Sequence, residues 1–164
     1  MKLRRYGIVL SLILTALMIS GAVFYVVCKK NSPEKNRILE IRDVSSNKVY
    51  GRWPLEETGE FAIEFIHSVN QSPVRESFGI EGGMIRPRTV RFSSFGAGMQ
   101  SDLEEGMSFI HDGDTMILSG FNSSFRELNY IVGTVSDHLL FINGETVSLR
   151  ELCGRNSHIT IHLK

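Results

Sequence analysis

The sequence predicts an all-β domain, an antiparallel sandwich or barrel-like arrangement, behind a single N-terminal transmembrane helix. Three observations carry that prediction. After residue 37 no segment keeps a 3.6-residue apolar period over a helical length. Short alternating runs recur instead, as in "EFAIEFIH", where Phe61, Ile63 and Phe65 fall on one side. Between such runs stand the pairs Gly82-Gly83, Asp112-Gly113 and Asn143-Gly144, residue types that tolerate the positive φ of tight hairpins.

The N-terminal element comes first. Lys2, Arg4 and Arg5 precede a run from Gly7 to Cys28 that carries no charge, and Lys29 ends it. At ~1.5 Å per residue such a run crosses a ~30 Å hydrocarbon core as a helix. No A-x-A-like cleavage site precedes Cys28, and Val27 is a poor neighbour for a lipidated cysteine. An uncleaved signal anchor over residues 1–30 is therefore expected, with a cleaved or lipidated form as the alternative. Basic residues flank both ends of the run, but the short, wholly basic N-tail favours a cytoplasmic N-terminus. The expected location is the cytoplasmic membrane, single-pass, with the C-terminal domain extracytoplasmic. Residues 31–37 contain Pro33 and read as a linker.

Residues 38–164 form the β-domain. Its expected strands are 38–44, 47–53, 60–67, 74–81, 84–92, 106–111, 114–121, 126–132, 138–142, 146–150 and 157–163. A short helix is expected around "SLRELCG", ended by Gly154. The chain has 164 residues and a formal net charge of zero, so the basic footprint of a nucleic-acid binder is missing and no such partner is expected. Cys28 and Cys153 are poorly placed for a structural disulfide, and no Cys-x-x-Cys pair exists.

Chemistry concentrates in "FIHSVNQSPVRESFGI". His67 is the side chain best suited to proton transfer near neutral pH. Adjacent residues of a strand point to opposite faces, so His67 is badly placed to activate Ser68, and no G-x-S-x-G elbow occurs. A corner between two strands is the plain alternative: Ser68 and Asn70 satisfy backbone groups, Pro73 starts the next strand, and Arg75 and Glu76 face solvent. In "SSFGAGMQ", Gly96, Ala97 and Gly98 either offer backbone N–H groups to an anion or merely turn the chain. His158 and His162, the closest histidines in sequence, would stand ~13 Å apart on one face of a strand, too far for one metal, and no metal is expected. Further along, Tyr130 alternates with Ile131, Gly133 marks a bend or a close backbone approach, and Asp137-His138 is a candidate local pair.

The stretches "FIHSVNQSPVRESF", "RFSSFGAGMQ" and "LNYIVGTVSDHLL", in this order and spacing, resemble the domain of unknown function 1850 family over roughly residues 38–164. The resemblance implies a small membrane-anchored or exported bacterial protein. It also implies a gene neighbourhood shared with tripartite ATP-independent periplasmic (TRAP) transporters that use a TRAP-associated extracytoplasmic immunogenic (TAXI) solute receptor. It brings no catalytic residues. Matching motif positions nominate His67, Ser68, Glu76, Gly96, Ala97, Gly98, Tyr130 and His138 as a candidate ligand site, with Pro73, Val74 and Gly133 as structural positions. The function expected is a transporter-accessory or binding protein that touches the solute receptor or permease, without catalysis or cofactor. The alternatives are an extracytoplasmic hydrolase using His67 as base, and an envelope-interaction module with no small ligand.

Overall fold

A computed structural model describes residues 37–56, 58–69, 71–93 and 105–164. The proposed anchor over residues 7–28, Cys28 and the Gly96, Ala97, Gly98 segment lie outside the described residues. Among the described residues no helix is long and apolar enough to cross a membrane.

Among the described residues eleven strands form: β1 (Ile38–Asp43), β2 (Val49–Pro54), β3 (Phe61–Ile66), β4 (Pro73–Glu81), β5 (Met84–Phe92), β6 (Ser108–Asp112), β7 (Thr115–Ser119), β8 (Glu127–Ile131), β9 (His138–Ile142), β10 (Glu145–Ser148) and β11 (His158–Leu163). One short helix, α1 (Leu149–Cys153), follows β10. The run "TVSLR" is thus divided: its strand ends at Ser148, whose hydroxyl accepts the Glu151 N–H at 3.0 Å and so starts α1. Gly154 ends the helix with φ 94°, donating its N–H to the Arg150 carbonyl at 2.9 Å.

Among the described residues all strand pairings are antiparallel, in two sheets. The smaller sheet has the order β2-β1-β11-β8, the larger β10-β9-β3-β4-β5-β7-β6. Turn chemistry sets the hairpins. Asn143 and Gly144 both take positive φ (51° and 75°) between β9 and β10, as a two-residue type I′ turn requires. Between β6 and β7 the central pair is Gly113-Asp114, one residue later than Asp112-Gly113, because Asp112 stays in register with Thr115.

Alternation then builds the core. Leu39 and Ile41 of β1, Leu128 of β8, and Ile159 and Ile161 of β11 pack in one cluster with Phe61 and Ile63 of β3, Phe78 and Ile80 of β4, and Leu140 and Ile142 of β9. The two sheets therefore bury their apolar faces against each other, as in a sandwich. Phe61 and Phe78, opposite each other in register, stack with ring centroids 5.1 Å apart. A second cluster, Val74, Phe92, Met116 and Leu118, continues the same face toward β7.

Candidate functional site

The opening polar stretch is the loop of the β3–β4 hairpin. Ile66 and Pro73 are the last register pair, and residues 67–72 close the turn. His67 donates its N–H to the Ser72 carbonyl, and Gln71 donates to the His67 carbonyl, both at 2.9 Å. Gln71 takes a φ of 52°, and its side-chain amide reaches the Ser68 carbonyl at 2.6 Å. Pro73 begins β4, where its preset φ suits a strand start. The Val69 N–H points at His67 Nδ1, at 3.3 Å.

On the other side of β3 lies β9, whose first residue, His138, is opposite Phe65. The two rings stack, with centroids 5.0 Å apart and planes 19° apart. The segment before β9 is tied on three sides. Val132 donates to the Ser157 carbonyl at 2.9 Å, Ser136 donates its hydroxyl to the Ile66 carbonyl at 3.3 Å, and the Gly133 N–H donates to His138 Nδ1 at 3.2 Å. Gly133 is the close approach that the sequence suggested: a Cβ there would lie 2.3 Å from the Ser136 carbonyl oxygen.

Asp137 does not pair with His138. Its carboxylate accepts the Ser148 hydroxyl and, at 3.0 Å, the Arg150 N–H, so it adds a second acceptor to the start of α1. Arg150 in turn donates to the Gly133 carbonyl at 3.4 Å. Between the hairpin loop and this segment opens a cleft of ≈ 390 Å³, and His67, Ser68, Gly133 and His138 all line it. Burial holds the His138 imidazole below its ordinary pKa; the nearby Asp137 carboxylate opposes that shift and the Arg150 guanidinium adds to it.

Glu76 corrects the solvent-facing expectation. It is opposite Ile63 on β3 and Val90 on β5, and those side chains belong to the inner face of the larger sheet. Arg75, one residue earlier, points outward; it pairs with Glu64 at 3.4 Å and lies over the Phe141 ring at 3.9 Å. Glu76 instead accepts the Tyr130 hydroxyl at 2.6 Å. Tyr130 belongs to β8, so this hydrogen bond joins the two sheets through their shared interior. Burial raises the Glu76 pKa, and the phenol partly offsets it. Burial and the adjoining carboxylate push the Tyr130 phenol up as well. The Tyr130 ring also meets His138 edge-on, with centroids 6.1 Å apart.

Of the nominated residues, His67, Ser68, Gly133 and His138 thus meet at one cleft, and Glu76 and Tyr130 meet behind it. Val74 is buried in the second core cluster. Phe65 and Ser136, which also line the cleft, were not singled out for it. Phe65 was legible only as a core residue; that its ring lies under His138 follows from the β3–β9 pairing. His158 and His162 stay apart in function too, since His162 Nε2 lies 3.2 Å from Glu40.

No curated protein and no solved structure matches the chain. One family model does, described as a domain of unknown function (DUF1850), over residues 61–149. That stretch is narrower than the 38–164 suggested by the motifs, and its limits are structural. It runs from the first residue of β3 to the first of α1, taking in every strand of the larger sheet and β8 of the smaller one. The cleft residues and the Glu76–Tyr130 pair all fall inside it, and by this match over more than half its length the chain belongs to the DUF1850 family.

Proposed function

We propose that this protein is a non-catalytic binding module of a TRAP-type (TAXI) solute transport system, anchored in the cytoplasmic membrane by residues 7–28. On this reading the β-domain lies outside the membrane and docks to the solute receptor or the permease. One observation carries the proposal: two segments far apart in sequence build one cleft, the exposed apolar side chains of Ile66 and Val135 line it, and further exposed apolar residues stand on the same stretches of chain. Val69 is 64% exposed and Val135 90% exposed, and Ile66 and Ile131 on the same two segments are exposed as well. Lone exposed apolar residues are ordinary on a protein surface; a cluster beside a cleft is the usual mark of an interaction site.

The hydrolase alternative is disfavoured by the same geometry. A general base needs a free lone pair, and the Nδ1 lone pairs of His67 and His138 face the Val69 and Gly133 amides. The test is site-specific photo-crosslinking from position 135 of the full-length chain in native membranes. An adduct with the solute receptor or the permease is the expected result. Adducts with neither, from a variant that is correctly folded, would refute the proposal.

A further inference from the structure

His67 and His138 come from different loops, yet each ring is fixed in the same way. Val69 N–H donates to His67 Nδ1 at 3.3 Å, and Gly133 N–H donates to His138 Nδ1 at 3.2 Å. A neutral imidazole that accepts at Nδ1 carries its proton at Nε2. The hydrogen-bonding group left to each ring is therefore an N–H donor. Both rings line the same cleft, and among the described residues its lining holds no charged side chain. Phe65, Ile66 and Val135 supply its apolar part. A cationic guest would find no carboxylate among these described lining residues, and its N–H groups would face the imidazole donors. An anionic acceptor would find two donors, and its charge would strengthen both hydrogen bonds. The volume, ≈ 390 Å³, suits a small molecule or the last residue or two of a peptide.

We propose that the cleft binds a carboxylate carrying a short branched apolar group, held by the Nε2–H groups of His67 and His138 with its hydrocarbon against Phe65, Ile66 and Val135. This deepens the reading of the cleft as the binding site and rests on it. Two sources offer that chemistry, a free short-chain acid and the C-terminus of a protein partner.

The experiment is histidine ¹⁵N NMR on the full-length chain, titrated with isovalerate, isovaleramide, isoamylamine and the dipeptide N-acetyl-Leu-Val. Nε2–H tautomers for His67 and His138 are expected before any addition. Isovalerate should then move both Nε2 signals saturably, with the neutral amide and the amine much weaker. His67→Phe, at a half-buried loop position, should weaken isovalerate by about tenfold, the usual worth of one hydrogen bond to a charged group. A dipeptide that binds more tightly than isovalerate identifies a protein C-terminus as the source, and the reverse order a free acid. Nδ1–H tautomers, no response to either carboxylate, or an equal response to isovaleramide would each overturn the proposal. Crosslinking from position 135 without a carboxylate response would refute this inference alone. A carboxylate response without a transporter adduct would refute only the docking assignment.

Discussion

Glu40 and Glu76 are both glutamates set in the middle of a strand, one in each sheet, and they are held in opposite ways. Glu40 has no exposed surface, yet it sits on the outer face of the smaller sheet. What covers it is polar: Arg42 and Arg52 both hydrogen-bond its carboxylate, with the His162 ring at 3.2 Å and the Lys164 ammonium at 4.0 Å. Burial alone would raise its pKa, but the two arginines outweigh that and hold it at about 2. Glu76 keeps some exposed surface, yet it stands on an inner sheet face with apolar side chains in register on either side and one phenol for company. Its pKa is raised. Contact with water ranks the two carboxylates one way, and the cost of their charge ranks them the other way. What decides is the matter around the carboxylate: guanidinium groups lying over it, or the interior between two sheets.

The largest way to break this contrast is Tyr130→Phe, which leaves a mostly buried carboxylate without its donor. We expect a loss of about 1–3 kcal/mol at neutral pH in urea unfolding, the usual cost of an unsatisfied buried polar group. The loss should shrink in a Glu76→Gln background, where no charge is left to strand; an equal loss in both backgrounds would break the account.

Glu76→Gln should move stability the other way, by less. A carboxyl whose folded pKa is raised favours the folded state while protonated, below its unfolded value near 4.5, and that contribution is lost as pH rises through the folded value. The amide keeps an acceptor for Tyr130 and cannot ionise. The variant should therefore match the wild type below pH 4.5 and melt at a higher temperature at pH 7. A lower melting temperature at pH 7 would mean that the ionised carboxylate stabilises the fold.

Glu40→Gln should show the mirror image in its pH dependence. The folded pKa is depressed, so its contribution is full above pH 4.5 and lost as pH falls toward about 2. The wild type should melt above the variant at neutral pH, and the gap should close near pH 2. Because the covering cations are themselves partly exposed, added salt should narrow the gap, while the effect of Tyr130→Phe persists. A salt-independent gap at Glu40 would refute its surface character.

The strands were legible in the sequence because alternation and turn residues are local signals. "FAIEF" and "ITIHL" carry their inner faces openly, and Asn143-Gly144 names its own turn. The inward direction of Glu76 was also legible: Val74 and Phe78, two residues away on either side, are apolar and buried. The polar company of "SPVRES" hid that pattern. Strand order was not legible, because β1 pairs with β11 from the far end of the chain and β3 pairs with β9 across five intervening strands. The cleft was half legible for the same reason. Each loop displayed its histidine and small residues, but only the β3–β9 pairing brings the loops together. The helix cap built by Asp137 and Ser148 had a visible signal in the serine before "LREL", whereas the contribution of Asp137 depended on tertiary approach.

The place of β11 has a consequence for synthesis. This strand, the last among the described residues, lies inside the smaller sheet, hydrogen-bonded to β1 on one side and β8 on the other, and Lys164 exchanges two backbone hydrogen bonds with Ile38. A nascent chain that lacks residues 158–164 has nothing to join β1 to β8, and the apolar faces of Leu39, Ile41 and Leu128 have no Ile159 and Ile161 between them. The smaller sheet therefore closes only after residues 158–164 have emerged from the ribosome, and the sheet that carries the cleft waits for its cover until then.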